Sequence, residues 1–183
     1  MRIDAKKLHY KALNLQIREA IRAGEKEFIL DNVNGQRYIG DNVTENVKIV
    51  IKGVPGQDLA FAMDGPEIHI YGNAQDGVAN TMSSGKIVVN GNAGDICGYA
   101  MRGGKVYIKG NVGYRSGIHM KEYQELHPTI IIGGHAGDFL GEYMAGGLII
   151  VLGLDNGKSE IVGNFCGTGM HGGLIFIDGK SVV

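Results

Sequence analysis

Hydrophobic and polar residues alternate in short segments that recur along most of the chain, and each segment ends in a glycine. An aliphatic residue stands two and four positions before each of these glycines, which is typical of a strand with one buried face. The glycines are separated by 19, 19, 19, 24, 19 and 26 residues and are Gly53, Gly72, Gly91, Gly110, Gly134, Gly153 and Gly179. Because so short a strand cannot bury its apolar face alone, the repeat predicts coils that stack on one another.

A series of methionines follows the glycines and has matching interruptions. Its members are Met63, Met82, Met101, Met120, Met144 and Met170. Ten residues separate glycine from methionine in the first five repeats and 17 in the sixth, which places an insertion after Gly153, most economically at Leu154–Glu160. The predicted fold is all-β, a parallel β-helix or solenoid of about seven coils, roughly 30 Å long at the ~4.8 Å spacing of strands. The methionines are expected to stack inside it.

The residues before the repeats have a different period. Apolar residues recur at helical spacing between residues 8 and 23, at Tyr10, Leu13, Ile17, Ala20 and Ile21. Gly24 is placed to end this helix. We expect residues 1–27 to form a helical cap and residues 28–183 to form the coils of a single domain, with an irregular first coil over Phe28–Lys48. No cap is evident at the C-terminal coil, so this end is expected to meet another chain, and a homo-oligomer could form there.

Composition narrows the classes of partner. The chain has 31 glycines, three prolines and a net charge of −1. The absence of a basic cluster argues against binding to nucleic acid or to an anionic membrane. No apolar run approaches the ~18 residues of a membrane span, and no signal peptide is evident, so a cytoplasmic location is expected.

The two cysteines are expected to be free thiols. Cys97 and Cys166 each precede a methionine of the series by four residues and fall three coils apart. At ~4.8 Å per coil they lie on the order of 14 Å from each other, which is too far for a disulfide. Two cysteines also cannot supply the four ligands that an iron–sulfur cluster generally needs. We therefore expect no cofactor in this chain.

Three carboxylates could be mistaken for a catalytic or cation-binding set. Asp76, Asp95 and Asp138 each stand four positions after a repeat glycine. Neighbouring carboxylates can act as an acid–base pair or bind a cation. Aspartate in glycine-rich corners more commonly accepts hydrogen bonds from the backbone, and we favour this interpretation because Tyr114 interrupts the column. No catalytic or metal residue is therefore assigned.

Other local patterns do not indicate a ligand site. The Gly-x-Gly strings lack the Gly-Lys-Ser/Thr of a phosphate loop, and the ~19-residue period excludes nine-residue calcium repeats and six-residue acyltransferase repeats. The histidines follow no metal-ligand spacing and are expected at the surface or in corners. The candidate interface residues are Glu142, Tyr143, His135 and His171.

Several of these glycine-rich runs resemble a known family. Residues 72–78, 141–147 and 169–173, together with residues 53–57, look like the C-terminal domain of the glutamate synthase large subunit, called the GXGXG domain. The run Glu142-Tyr143-Met144-Ala145-Gly146-Gly147 is the most specific part of this resemblance, which covers nearly the whole chain. The family's Asn-Thr-Asp-Arg stretch before the repeats is only partly kept in Asn32–Arg37.

The resemblance implies a right-handed β-helix that positions the amidotransferase domain and the FMN-binding synthase domain and does not itself catalyse their reactions. This chain carries only that domain, so the resemblance implies a scaffold subunit of a glutamate synthase divided among several polypeptides. FMN and iron–sulfur clusters are then expected on the partner subunits.

Two alternatives remain open at the level of sequence. The same repeat occurs in the C subunit of formylmethanofuran dehydrogenase, whose partner is a molybdenum or tungsten enzyme instead of an FMN synthase. The chain could also be a free-standing β-helix enzyme that acts on polysaccharide, for which Asp76 and Asp95 are the candidate carboxylates. A β-helix enzyme of this kind needs a walled groove, and only residues 121–128 and 154–160 could form long loops.

Overall fold

The strands of this chain form one parallel sheet in sequence order. The computed structural model describes residues 1–154 and 160–178. Within them the elements are β1 (Arg2–Asp4), α1 (Tyr10–Arg22), β2 (Glu27–Asn34), β3 (Lys48–Val54), β4 (Asp64–Tyr71), β5 (Ser84–Val89), β6 (Lys105–Ile108), β7 (Thr129–Ile132), β8 (Ala145–Val151) and β9 (Gly172–Ile177). Each strand pairs in parallel with the one before it, so the chain winds as a parallel β-helix, which confirms the predicted fold class.

The sheet register follows the sequence repeat. Ile49 pairs with Ile68, and Ile68 pairs with Ile87, so equivalent positions of successive coils lie side by side. These inward aliphatic side chains are buried. Six successive pairings join β3 to β9, which is close to the predicted number of coils. Gly179, the last glycine of the repeat, lies outside the described residues.

The predicted methionine column is confirmed. Met63, Met82, Met101, Met120 and Met144 are fully buried. Met170 in the last coil is partly buried against the same core. The end of each methionine fills space that the next coil leaves empty, because a Cβ added at Gly104 would lie only 2.5 Å from Met82 Cε. The flexible thioether thus occupies the space that a glycine of the next coil leaves free.

Side-chain oxygens join the glycine-rich corners of neighbouring coils. The backbone N–H of Asn92 donates to Asn73 Oδ1 at 2.9 Å, and the N–H of Asp95 donates to Asp76 Oδ1 at 2.9 Å. The same bonds recur one coil later, from Asn111 to Asn92 and from Tyr114 to Asp95. The expected structural role of the aspartates is therefore confirmed.

Glycine is required where these oxygens approach the next coil. A Cβ at Gly94 would lie 2.1 Å from Asp76 Oδ1, and a Cβ at Gly110 would lie 2.1 Å from Asn92 Oδ1. Real Cβ atoms essentially never come this close to an oxygen. The Gly-Asn-x-Gly-Asp pattern of the sequence is therefore a contact pattern between coils, in which each oxygen faces a missing side chain.

The N-terminal cap is more complex than expected. Helix α1 lies within the predicted range and buries Leu13, Ile17 and Ile21. Residues 1–27 are not all helical cap, however, because β1 pairs with β2 through Ile3 and Leu30 and so extends the sheet by one short strand. Strand β1 has only three residues, which are too few to show a period in the sequence.

The first coil, predicted to be irregular over Phe28–Lys48, shifts its register with β3 between Leu30 and Val33 but otherwise follows the pattern of the later coils. It contains β2, and its Tyr38, Gly40 and Asn42 have the positive φ angles that recur at the equivalent places of later coils. Val43 is buried where later coils have methionine, and it accepts a bond from Asp64 N as Met63 does from Ser83 N. The valine hid this coil from the methionine count. Within the part of the chain that the structure describes, no helix is long and apolar enough to cross a membrane.

We predict that Gly94→Ala destabilises the protein through steric overlap. Gly94 has no positive φ, so the added methyl group conflicts with the preceding coil, chiefly with Asp76 Oδ1 at 2.1 Å, and not with its own backbone conformation. The expected loss is about 1–3 kcal/mol of unfolding free energy, the usual cost of overpacking. The control is Gly35→Ala, where φ is +79° but nothing lies within 4 Å of the new Cβ. Urea unfolding measures both, and an equal or smaller loss for Gly94→Ala would contradict the contact.

We predict that one thiol reacts in the folded protein. Both cysteines are free, as expected; Cys97 is buried and Cys166 is exposed. Burial raises the pKa of the Cys97 thiol to about 12, so this group stays protonated and unreactive at neutral pH. A disulfide reagent should label Cys166 in the native state and Cys97 only after unfolding. Cys166→Ser is the control, and rapid native labelling of that variant would be inconsistent with a closed core.

Candidate functional site

One segment of every coil has an unusual backbone. Between the glycine-rich corner and the methionine, three alternate residues have positive φ; in the last three coils they are Arg115, Gly117 and His119, then Phe139, Gly141 and Tyr143, then Phe165, Gly167 and Gly169. The outer two donate their N–H groups to the next coil, and the central one donates to the previous coil, as Gly117 does to Cys97 O at 2.7 Å. These hydrogen bonds hold the left-handed residues in place.

Large side chains occupy these left-handed positions in the C-terminal half. In most earlier coils the equivalent positions hold smaller residues, Asp58 and Gly77 in the Phe139 column and Ala62, Thr81 and Ala100 in the Tyr143 column, although Tyr38 and Ile96 are also large. Later coils have Phe139 at φ +61°, Tyr143 at +51° and Phe165 at +59°. The left-handed conformation costs a residue with a side chain roughly 1–2 kcal/mol relative to the right-handed one. Strain of this kind at bulky residues is a reason to suspect a functional surface.

These side chains form a surface that we call the aromatic corner. Its members are Tyr99, Arg115, His119, Phe139, Tyr143 and Phe165. The rings of His119 and Tyr143 are stacked with centroids 5.3 Å apart, and those of Phe139 and Phe165 are stacked at 5.0 Å. Tyr99 meets His119 edge to face at 5.9 Å. The stacking follows from the coil repeat, which places equivalent side chains one strand spacing apart.

The aromatic corner remains open to solvent. Phe165 is 64% exposed and Tyr143 is 47% exposed, although aromatic side chains are usually covered. The Tyr143 ring also lies against the backbone of the last coil, because a Cβ at Gly169 would be 2.4 Å from Tyr143 Cδ1. The rings are therefore held in fixed positions, which lowers the entropy that a partner would have to overcome on binding.

An ion pair between the buried Glu142 and the partly exposed Arg115 supports the aromatic corner. Glu142 is only 8% exposed, and its Oε2 accepts a hydrogen bond from Arg115 Nε at 3.0 Å. The Arg115 guanidinium also lies over the Phe139 ring, 4.6 Å from its centre. A cation over an aromatic face is attracted by the ring, so Arg115 links the carboxylate to the stack.

The structure separates the four candidate interface residues. Glu142 and Tyr143 lie together in the aromatic corner. His135 belongs instead to the glycine-rich corner, one of the two places expected for the histidines, where its backbone N–H donates to Asn111 Oδ1 at 2.8 Å and its side chain is 7% exposed. His171 is exposed in the turn toward β9, and its backbone N–H donates to Met144 O at 2.9 Å, next to Tyr143 in the preceding coil.

Sequence analysis missed the other members of the aromatic corner. Arg115, Phe139 and Phe165 are separated by 24 and 26 residues, the same steps that interrupt the glycine series. Aligning the repeats on the methionines, which follow these three residues by five positions, would have placed them in one column. Their left-handed backbone could not have been foreseen, because such positions are normally assigned to glycine or asparagine.

Comparison with known proteins gives two findings. A family model described as the GXGXG motif matches residues 6–182. A protein of Methanocaldococcus jannaschii, described by its name only as uncharacterized, is 50% identical over an alignment of 184 positions. The alignment covers 97% of this chain and 70% of the relative. The match to the family model includes both the glycine-rich corners and the aromatic corner.

We predict that Arg115→Ala destabilises the protein by about 1–2 kcal/mol, because it leaves the Glu142 carboxylate buried without its cation. The expected loss of stability is smaller than for a fully buried ion pair, because the Arg115 side chain is 48% exposed. In a Glu142→Gln background the same substitution should cost less, and a double-mutant cycle measures this difference. Equal costs in both backgrounds would show that the ion pair contributes nothing.

Proposed function

We propose that this chain, which belongs to the GXGXG motif family, is a non-catalytic scaffold subunit of a glutamate synthase divided among separate polypeptides. The family is that of the C-terminal domain of the glutamate synthase large subunit. In this proposal the chain positions an amidotransferase polypeptide and an FMN-binding synthase polypeptide in the cytoplasm. The matched relative adds no functional information, since its name describes it only as uncharacterized.

The observation that carries the proposal is the aromatic corner. Phe139, Tyr143 and Phe165 occupy left-handed positions in which glycine would be less strained. Rigid, exposed aromatic rings with an adjacent arginine are the residue types enriched where protein partners bind. We therefore assign the aromatic corner to the contact with one of the two partner polypeptides.

The carboxylates considered for a polysaccharide enzyme favour the scaffold role instead. Asp76 Oδ1 accepts the Asp95 N–H, and Asp95 Oδ1 accepts the Tyr114 N–H at 2.8 Å. Oxygens engaged in this way hold neighbouring coils together, and a general acid or base must be free to exchange a proton with substrate. This argument weighs against the enzyme alternative at these two residues.

The cofactors are assigned to the partners in the same proposal. Cys97 lies in the closed core, and its thiol is kept protonated by burial that raises its pKa to about 12. Cluster ligands are thiolates, so this cysteine does not fit an iron–sulfur site. Among residues 1–154 and 160–178, no group of three or more His, Cys, Asp or Glu side chains could hold a metal ion. FMN and any cluster are therefore proposed to lie on the other subunits.

The proposal is tested by assembling the complex from separate polypeptides. We expect the tagged chain, co-expressed with the amidotransferase and FMN-synthase polypeptides of its organism, to bring both through size-exclusion chromatography. The double variant Tyr143→Ala, Phe165→Ala should weaken the binding of one partner by about tenfold or more, as for hot-spot residues. Tyr71→Ala is the matched control, because Tyr71 is 60% exposed and lies on β4, outside the aromatic corner.

Thermal unfolding of each variant separates loss of binding from loss of folding. Wild-type protein that binds neither polypeptide would overturn the scaffold proposal. Recovery of a molybdenum or tungsten enzyme with the natively expressed chain would favour the formylmethanofuran dehydrogenase alternative. Equal binding by the aromatic-corner variant and by Tyr71→Ala would leave the scaffold role standing and move the contact elsewhere.

A further inference from the structure

The outward face of the parallel sheet changes character along the β-helix. One outward column runs from β2 to β9 through residues paired in register, which are Glu27, Lys48, Glu67, Lys86, Lys105, Thr129, Leu148 and Leu174. Charges alternate in its N-terminal half and give way to leucine in its C-terminal half. The adjacent outward column ends in Tyr107, Ile131, Ile150 and Phe176.

Strands β7 and β8 are apolar on both faces. Their sequences are Thr-Ile-Ile-Ile and Ala-Gly-Gly-Leu-Ile-Ile-Val. The inward residues Ile130, Ile132, Ile149 and Val151 are fully buried in the core. Near-continuous apolar runs of this kind are typical of parallel strands that are covered on both sides. The outward side of these strands is only half-buried, so no part of residues 1–154 and 160–178 covers it completely.

We call the outward side chains of this region the apolar sheet face, defined by Tyr107, Ile131, Leu148, Ile150, Leu174 and Phe176. Leu174 is 59% exposed and Phe176 is 54% exposed, on the outermost strand. Contiguous exposed apolar side chains of this kind mark interaction sites in soluble proteins. The N-terminal half of the same sheet serves as an internal comparison, because its outward side carries charges of both signs and some of them are paired, as Glu67 is with Lys86.

Two lysines without an ion-pair partner in the described part of the chain lie at the β6 side of the apolar sheet face. In the N-terminal half, Lys86 Nζ lies 2.8 Å from Glu67 Oε1, and Lys52 Nζ lies 3.8 Å from Asp31 Oδ1. Lys105 and Lys109 border Tyr107 on β6 and are exposed. Neither lysine belongs to an ion pair with another described residue. A complementary surface would therefore bring carboxylates to these two lysines.

We infer that the apolar sheet face binds the second partner polypeptide, through an apolar patch on that partner that is bordered by Asp or Glu side chains. A second copy of this chain fits less well, since it would bring its own Lys105 and Lys109 to the contact. The inference rests on the proposed function, because a scaffold that positions two polypeptides needs two surfaces. The aromatic corner is one of them, and the apolar sheet face is the other.

The first test replaces one apolar side chain within a matched column. Ile150→Glu puts a charge at the centre of the apolar sheet face and should weaken one partner by about tenfold or more. Val50→Glu is the control, because Val50 occupies the same outward column in the charge-paired half and is also half-buried. Circular dichroism and thermal unfolding check that both variants fold, and light scattering of the chain alone measures self-association.

The second test addresses the charged rim and avoids any change to the sheet. The double variant Lys105→Glu, Lys109→Glu should weaken the same partner, and Lys48→Glu, in the Lys105 column, should not. A carbodiimide, which joins an amine directly to a carboxylate, should link Lys105 or Lys109 to an Asp or Glu of that partner. Lys48 should give no such product.

The outcomes distinguish this inference from the proposed function. Binding of both partners by Ile150→Glu and by the lysine variant at wild-type affinity would overturn the inference and leave the scaffold role intact. Failure of the wild-type chain to bind either partner would overturn both. A dimer of the chain alone that Ile150→Glu dissociates would assign the apolar sheet face to a second copy and refute the carboxylate-bordered partner.

Discussion

The stacking of this chain depends on side-chain oxygens that occupy the space where the next coil lacks a Cβ. Asn73 and Asp76 each receive a backbone N–H from the coil that follows, and Gly91 and Gly94 leave room for their oxygens. Without glycine at these positions the coils would have to move apart, and the strands would lose their hydrogen-bonding distance. The same contact satisfies polar groups at the corner, which otherwise would be costly to bury. The sheet register, the methionine column and the aromatic stack all follow from coils held at this separation.

The sequence predicted the repeated features of the fold because each repeated feature has a local physical cause. The inward aliphatic residues of β3 to β9, the methionine column and the role of Asp76 and Asp95 could all be inferred from the period alone. The first coil was left out of the methionine series because Val43 takes the place of methionine, and β1 was missed because three residues are too few to show a period. Valine and methionine can both fill this place in the core, so the composition does not show that the series continues in the first coil.

The surfaces were harder to predict than the fold. Tyr143 was recognised, but its stacking partner His119 was not, since a left-handed backbone at an aromatic residue leaves no clear signature in sequence. His135 was proposed for the interface but lies buried in a glycine-rich corner, against Asn111 of the preceding coil. A surface of the β-helix is formed by residues from the same column of successive coils. These columns can be aligned in the sequence only after the insertions of five and seven residues are assigned to particular coils.

Because each coil contacts mainly its two neighbours, the β-helix also measures distance. Every added coil lengthens it by about 4.8 Å and repeats the same outward columns, so surface features can be separated only in steps of that size. Two proteins held at different coils would keep a fixed spacing, and gain or loss of one repeat would move one relative to the other by a single step. The number of glycine-marked repeats between two binding surfaces therefore sets the distance between the proteins bound there.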